Sequence, residues 1–333
     1  MSETIVYSAK KIITMNPSRP EATHVAVRDG RILGAGSLSE LQTWGDVRLD
    51  ERFKDKVLMP GFVEGHAHVM EGSLWSKVYC GWFDRADPDG KLWSGVKSVD
   101  AVVERLRAAE AALEDPAAAV SGWQLDPIYM DNITVTRADL DRVSTTRPVG
   151  VLHASGHIMN VNTKALELAG MLKTGHNHPG IPLGADGLPT GELKGPEVMT
   201  PVGPFVGFER NLLDADEAGL RNFAKLCVRT GTTTITDLAS RMDEDTVDMM
   251  LRVTSEPHYP IRLMPFRFFL GLSAPELVET VLAMKKRATD RLRLGQIKIV
   301  VDGSIQGFSA RLRWPGYHNG APNGLWYIAP EHL

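Results

Sequence analysis

His66 and His68 lie two residues apart, directly after the apolar segment at residues 57–63. Alternate side chains of an extended strand point to the same face. A strand that ends here would therefore present both imidazoles to one site, and neutral imidazole is a common ligand of first-row transition metals. Two hydrogen-bonded surface histidines are the alternative. The apolar strand and the Pro-Gly turn at residues 60–61 favour a metal site.

Lys298 is the second residue whose surroundings suggest chemistry, because it lies inside the apolar segment at residues 296–301. An ammonium group buried without a partner is costly, so its presence needs a reason. One explanation is an ion pair with Asp237 or Asp302. The other is that the neutral amine has reacted with CO2 and formed a carbamate anion that bridges two metal ions. The residues alone leave both explanations open.

The elements that must position these side chains form a repeating pattern. Four largely apolar segments lack alternation, which is typical of strands buried on both faces. Between them, Asp214 with Glu217 and Ser273 with Glu276 form capping-box patterns that predict helix starts. Alternating strands and helices predict an α/β fold with a parallel sheet. The four segments are residues 57–63, 231–237, 261–269 and 296–302.

The N-terminal residues 1–56 have a different character, with short strand-like segments and no helix between them. An Asp-Gly pair at residues 29–30 predicts a tight hairpin, because both central positions of a type I′ turn need a positive φ. We therefore expect a small β module here.

Residues 70–212 interrupt the alternation and form a large insertion, with a predicted helix at residues 101–113. An insertion after the first strand is where an α/β barrel carries substrate-shaping structure. Its tryptophans either line an aromatic substrate pocket or form a small core of their own, and the second interpretation is favoured. They are Trp75, Trp82, Trp93 and Trp123.

Several other polar residues have an ordinary interpretation. We expect His153, at the end of an apolar segment, to be a hydrogen-bonded core histidine. His176 and His178 lie in a Gly/Pro-rich loop and are interpreted as solvated loop histidines. Asp237 ends an apolar segment and either orients a metal ligand or caps the next helix, and the cap is favoured.

Four ordered segments of the chain resemble the amidohydrolase superfamily of metal-dependent hydrolases, specifically the branch that includes N-substituted formamide deformylase. PGFVEGHAH at residues 60–68 is similar to the PGFVDxHxH opening of that superfamily. GHIMNVNTKAL at residues 156–166 is similar to GHxxxxNSxAL, with Thr163 in place of serine. GLPTGEL at residues 187–193 and KIVVDGSIQG at residues 298–307 are similar to DGxPTGxL and KxxxDGSxxG. The match spans about residues 5–330.

This resemblance implies a fold, a cofactor and site residues. The fold would be a (β/α)8 TIM-like barrel beside a small β-sandwich domain, and the cofactor one or two divalent metal ions, most often zinc. His66 and His68 would be metal ligands from the first barrel strand. Lys298 would be the carboxylated lysine that bridges the metals. His157 would face the substrate, with a hydrogen-bonded core histidine as the alternative.

The resemblance also divides the chain. Residues 1–56 would form the N-terminal part of the β-sandwich, and residues 57–333 the first half of the barrel with its insertion at about 70–212. A TIM barrel needs eight strands, and four buried strands are predicted here, so this half would expose an unpaired sheet edge. In the family, two further histidine ligands and a catalytic aspartate come from later strands. We therefore expect the remaining half from the rest of a longer polypeptide or from another chain, with a homodimer as one arrangement.

Composition excludes several other function classes. The formal net charge of −4 gives no basic surplus that would indicate a nucleic-acid or membrane partner. Cys80 and Cys227 form no motif and predict structural thiols in a reducing compartment. No segment approaches the roughly 18–20 apolar residues of a membrane span. The sequence therefore predicts a cytoplasmic protein.

Together these observations predict a hydrolase that cleaves a C–N bond in a small amide- or formamide-type molecule through a metal-activated water. One alternative is a metal-free barrel used as a binding or regulatory protein. Another is a metal-dependent condensing or cyclising enzyme on the same scaffold. Metal content distinguishes the first alternative from the hydrolase, and product analysis distinguishes the second.

Overall fold

The computed structural model describes residues 2–131, 133–208, 215–269, 271–303, 305, 310–318, 320, 323–324, 326 and 328. The chain divides into two compact units, Met1–Val63 and Glu64–Leu333. Within the described residues, no helix has the length and apolar character needed to cross a membrane.

The first unit contains one four-stranded sheet. Strands β1 and β2 and strands β2 and β3 pair antiparallel, whereas β1 and β4 pair parallel. Asp29 and Gly30 have φ values of 52° and 71°, which confirms the predicted hairpin between β2 and β3. The elements are β1 (Thr4–Asn16), β2 (Arg19–Arg28), β3 (Arg31–Gly36), α1 (Leu38–Leu41) and β4 (Val47–Leu58), and the sheet order is β3-β2-β1-β4.

The predicted insertion is a folded module around a five-stranded mixed sheet, in the order β12-β11-β10-β9-β6. Two hydrophobic clusters, on Trp123 and on Leu106, form its core. Its elements, with the strand that precedes it, are β5 (Phe62–Ala67), α2 (Glu71–Leu74), β6 (Val78–Tyr79), β7 (Arg85–Ala86), β8 (Leu92–Trp93), α3 (Val99–Glu110), β9 (Val120–Leu125), α4 (Arg137–Asp141), β10 (Val149–His153), β11 (Ile158–Val161), α5 (Thr163–Leu168), β12 (Glu192–Lys194) and α6 (Pro196–Met199).

After the insertion the chain alternates helix and strand, as predicted. Strands β13, β14 and β15 pair parallel, and β5 lies next to β13, so the sheet order is β15-β14-β13-β5. A cluster that includes Leu220, Ile235 and Val247 packs the helices on this sheet. The elements are α7 (Glu217–Thr230), β13 (Thr232–Ser240), α8 (Glu244–Thr254), β14 (Arg262–Phe268), α9 (Ala274–Lys285) and β15 (Gln296–Lys298).

Strand β5 differs from its prediction as a strand buried on both faces. Phe62 is 58% exposed and Val63 is 69% exposed. Successive side chains point to opposite faces of the sheet, and the described residues leave both faces of β5 largely uncovered at this end of the sheet order. The apolar sequence of β5 correctly predicted a strand, but it could not indicate which faces of that strand other residues cover.

Helix starts were predicted with mixed success. At α9, Ser273 and Glu276 form the predicted capping box, and the Ser273 backbone N–H donates to the Glu276 carboxylate at 2.8 Å. At α7 the N-cap is Asp216, whose carboxylate accepts the Gly219 N–H at 2.6 Å. The predicted cap Asp214 lies outside the described residues.

Candidate metal centre

His66 and His68 come together at the carboxyl end of β5. Their ring centroids are 5.5 Å apart, with the ring planes 78° from parallel. The Glu64 carboxylate accepts the His66 backbone N–H at 2.9 Å, and the Thr236 hydroxyl of β13 donates to the Glu64 carbonyl at 3.3 Å. The end of β5, which carries the two imidazoles, is therefore hydrogen-bonded to β13.

The electrostatic surroundings of His68 bring four of the predicted residues into one neighbourhood. Partial burial of the ring lowers the pKa of His68 below its ordinary value of 6.5. Electrostatic repulsion from the neighbouring His66, Lys298 and His157 lowers the pKa of His68 further. At neutral pH the ring is consequently an uncharged imidazole, which is the form that binds metal ions.

Asp237 reaches the same strand end from β13. Its side chain is fully buried, and its Oδ1 accepts the Val69 backbone N–H at 3.3 Å. The same Oδ1 lies 4.0 Å from Nδ1 of His68. The helix-cap interpretation of Asp237 is wrong, because the residue lies within β13 and Asp243 caps the following helix α8. The ligand-orienting alternative fits this position.

Lys298 is the last residue of β15, in register with Phe268 of β14. The strand is shorter than predicted, so Lys298 lies at its carboxyl end and is half-buried. The predicted ion pair with Asp237 or Asp302 is not found among the ion pairs of the described residues. The Asp302 carboxylate instead accepts the Arg311 backbone N–H at 2.7 Å.

His157 lies in the turn between β10 and β11 of the insertion and is exposed. The Ser155 hydroxyl accepts its backbone N–H at 3.3 Å, and its carbonyl accepts the Gly195 N–H at 2.8 Å. The exposure rules out the alternative of a core histidine and leaves the ring accessible to a substrate.

His153 is the core histidine, as predicted. Its ring is buried and hydrogen-bonded to the Asn160 side chain. Burial lowers the pKa of His153, although the bond to Asn160 acts in the opposite direction.

His176 and His178 lie in the loop between α5 and β12 and make local bonds. His176 Nε2 is 2.8 Å from the Met171 carbonyl, and His178 Nε2 is 3.2 Å from the Glu197 carboxylate. These contacts agree with ordinary loop histidines.

Three of the four tryptophans of the insertion, Trp75, Trp93 and Trp123, pack in one cluster, whereas Trp82 stacks on Tyr129 with centroids 5.8 Å apart. Trp75 lies against Tyr79 with centroids 5.4 Å apart and meets Trp123 edge-on at 5.1 Å. Trp123 is fully buried, and Trp93 packs on the same cluster. The cluster around Trp123 is therefore the predicted small core, while Trp82 and Tyr129 lie beside the exposed Phe83.

The segment after His68, which includes α2, packs closely against α7. The sequence did not predict this contact. The Ser73 hydroxyl donates to the Asp216 carboxylate at 2.9 Å. A Cβ atom on Gly72 would lie 1.9 Å from the Gly219 carbonyl oxygen, so only glycine allows this approach. The two glycines lie far apart in sequence, and no local pattern marks them as a pair.

Both cysteines are buried and free. Burial raises the pKa of the Cys80 thiol to about 12 and that of the Cys227 thiol to about 12. Both therefore stay protonated at neutral pH, in agreement with structural thiols.

The donor set of the described residues is small. Within that part of the chain, no three His, Cys, Asp or Glu side chains come together in a group that could hold a metal ion. The candidate centre therefore consists of two imidazoles, with Lys298 and His157 nearby and Asp237 behind His68.

Comparison with known proteins gives the family. A model of the amidohydrolase family matches residues 54–321. This chain belongs to the amidohydrolase family. The matched range includes His66, His68, His157 and Lys298, the four candidate site residues.

This amidohydrolase family member has two curated relatives of similar distance. It is 27% identical over 335 residues to Protein LONG AFTER FAR-RED 3 of Arabidopsis thaliana, covering 97% of this chain and 54% of that protein. It is 27% identical over 341 residues to Putative amidohydrolase YtcJ of Bacillus subtilis (strain 168), covering 97% of this chain and 58% of that protein. The chain thus spans little more than half the length of these relatives.

Two solved structures share the fold. They are uncharacterized metal-dependent hydrolases from Pyrococcus horikoshii OT3 and Pyrococcus furiosus, with TM-scores of 0.67 and 0.65 and identities of 16% and 17%. Each covers 99% of this chain, and this chain covers 61% and 63% of theirs. At such identity the likeness concerns the fold alone.

Proposed function

We propose that this protein is a metal-dependent hydrolase that cleaves the C–N bond of a small amide- or formamide-type substrate. The observation that carries the proposal is the juxtaposition at His68. Its ring centroid lies 5.5 Å from that of His66, and electrostatic repulsion from Lys298 and His157 helps to lower its pKa. Membership of the amidohydrolase family supports the reaction class.

The donor set fits a divalent metal in part. Zinc takes nitrogen, sulfur and oxygen ligands, commonly four, and His66 and His68 supply two imidazole nitrogens. A carboxylated Lys298 would supply an oxygen. In our proposal further ligands come from residues outside the described part, in the rest of a longer polypeptide or in another chain. When bound, the metal supplies acidity to a water molecule and polarises the scissile carbonyl.

Lys298 would take part as a carbamate. Its neutral Nζ attacks the carbon of CO2, an N–C bond forms and one proton is released, which leaves a carbamate anion. The half-buried position at the end of β15, without an ion pair among the described residues, supports this chemistry. One or two metal ions are compatible with such a ligand.

His157 would bind the substrate. Its exposed ring is held by a turn whose backbone is bonded at both the N–H and the carbonyl of the residue. An imidazole in this position can hold a carbonyl or amine group of the substrate.

The fold that we propose for the complete site is a (β/α)8 TIM-like barrel. The sheet order β15-β14-β13-β5, with α7, α8 and α9 between successive strands, supports half of such a barrel in residues 57–333. Residues 1–56 would belong to a β-sandwich domain.

Turnover assays test the reaction. The purified full-length protein, supplied with zinc, is incubated with N-substituted formamides and simple amides, and the released amine is measured. We expect release by the natural protein and its loss in the His66→Ala/His68→Ala variant. His176→Ala/His178→Ala is the matched control, because it removes a second HxH pair that lies in a loop. We expect this variant to keep its activity. Full activity without the first pair would refute the proposal, and net amide formation would favour a condensing enzyme.

A further inference from the structure

We propose that Asp237 is a positioning residue for His68, which keeps the imidazole proton on Nδ1 and leaves Nε2 as the nitrogen that binds the metal. The inference rests on the proposed function, because it assigns a nitrogen for the metal at His68. The inference goes beyond the proposed function by giving a role to Asp237, which lies on a different strand.

The geometry places one carboxylate oxygen against two parts of the same short segment. Oδ1 of Asp237 accepts the Val69 backbone N–H at 3.3 Å, so it fixes the backbone immediately after His68. The same oxygen is 4.0 Å from Nδ1 of His68, so it also lies beside the ring. One buried oxygen is therefore next to both the backbone and the imidazole of this segment.

The position of Asp237 suits a fixed electrostatic partner. The residue lies within β13, the strand next to β5, and its side chain is fully buried. Because the Asp237 side chain is shielded from water and the His68 side chain is 41% exposed, screening between the two groups is weaker than at the surface. A neutral imidazole can carry its proton on either nitrogen. The carboxylate beside Nδ1 therefore favours the form in which Nδ1 carries the proton.

The consequence for a metal site follows from general chemistry. Histidine ligands commonly turn their second nitrogen toward a carboxylate, which fixes the ring orientation and raises the basicity of the ligand nitrogen. Loss of such a partner typically weakens metal binding by about 10–100-fold. Oδ1 of Asp237, 4.0 Å from Nδ1 of His68, lies just beyond hydrogen-bond distance and would reach that position after a small rotation of the ring.

A purely structural role predicts a different outcome. If Asp237 only anchors the loop, an asparagine side chain would serve nearly as well, because its carbonyl oxygen also accepts the Val69 N–H. The Asp237→Asn variant therefore separates anchoring from ring positioning. Asp243→Asn, at the N-cap of α8, is the matched control that removes a carboxylate elsewhere.

The experiment reads the proton position directly. The whole protein is labelled with ¹⁵N-histidine and freed of metal, and the His68 ring signals are assigned by comparison with a His68→Gln variant. Ring ¹⁵N shifts then give the proton position in the natural protein, in Asp237→Asn and in Asp243→Asn. Zinc affinity is measured for the same proteins by competition with a chelator.

We expect the Nδ1–H form in the natural protein and in Asp243→Asn, and a shift toward the Nε2–H form in Asp237→Asn. Zinc binding by Asp237→Asn should weaken about tenfold or more. The inference is overturned if His68 of the natural protein carries its proton on Nε2, a result that needs no variant to fold. It is also overturned if Asp237→Asn leaves both the proton position and the zinc affinity unchanged. A natural protein that binds no zinc would instead overturn the proposed function.

Discussion

At the scale of single residues, burial decides the protonation of two histidines. His68 and His153 both have a lowered pKa because their rings are partly or largely removed from water. For His68 this keeps a nitrogen available at neutral pH for the metal that we propose. For His153 it makes a core residue sensitive to acid.

His153 therefore gives a prediction about stability. In the unfolded chain the ring takes up a proton near its ordinary pKa of 6.5, whereas the folded protein resists protonation. The unfolded state then binds more protons in acid, so stability is full above about pH 6.5 and falls as the pH drops toward the lowered folded-state pKa. We expect the free energy of unfolding to fall less between about pH 7.5 and pH 5.5 in His153→Gln than in the natural protein.

Urea unfolding at the two pH values measures this difference. The exposed His258, changed to Gln, is the control and should leave the pH dependence of the natural protein in place. Identical slopes for all three proteins would contradict the assignment of His153 as an acid-sensitive core residue.

The site residues differ in how far the sequence reveals them. His66 and His68 are found from local spacing, because a strand repeats every two residues. Asp237 is not, since its bond to Val69 spans 168 positions and depends on which strands become neighbours. Lys298 was noticed as a charged residue in an apolar segment, but its place at the end of β15 depends on where the strand pairing stops.

At the scale of elements, the site depends on how the loop after β5 packs on α7. Gly72 of α2 and Gly219 of α7 approach so closely that a Cβ on Gly72 would lie 1.9 Å from the Gly219 carbonyl oxygen. Gly72→Ala must therefore move α2 away from α7, and overpacking of this kind costs about 1–3 kcal/mol. We expect a lower melting temperature and weaker zinc binding for this variant.

Gly65→Ala is the matched control, since nothing lies within 4 Å of the position of its Cβ and its φ is ordinary. Thermal unfolding followed by circular dichroism compares the two. If Gly72→Ala has the same melting temperature as Gly65→Ala and the natural protein, the close contact between α2 and α7 does not stabilise the protein.

Elements whose signals are local were predicted well. The Asp29–Gly30 hairpin and the Ser273–Glu276 capping box both follow from side-chain and backbone chemistry within four residues. The burial of β5 and the five-stranded sheet of the insertion did not follow in this way, because both depend on pairing between distant segments.

At the scale of the whole molecule, apolar surface remains open beside the four-stranded sheet. On α9, Val278 is 48% exposed and Leu282 is 55% exposed, one helical turn apart. Phe62 and Val63 of β5 are exposed at the other end of the sheet order. Exposed apolar patches and free sheet edges commonly mark interaction surfaces.

We expect the 333-residue chain, expressed by itself, to self-associate through the exposed apolar face of α9 that carries Val278 and Leu282. A Val278→Lys/Leu282→Glu variant should shift the chain toward the monomer in analytical ultracentrifugation. Leu168→Lys on α5, where the leucine is 43% exposed, is the control and should leave association unchanged. A monomeric natural chain would contradict the prediction.

In our proposal His66 and His68 hold a divalent metal ion, and equilibrium dialysis against zinc followed by elemental analysis tests this. The full-length natural protein and its His176→Ala/His178→Ala variant should each retain at least one zinc ion per chain. The His66→Ala/His68→Ala variant should retain none, while its circular dichroism spectrum stays that of a folded protein. Equal zinc content in all three proteins, or none in the natural protein, would contradict the account.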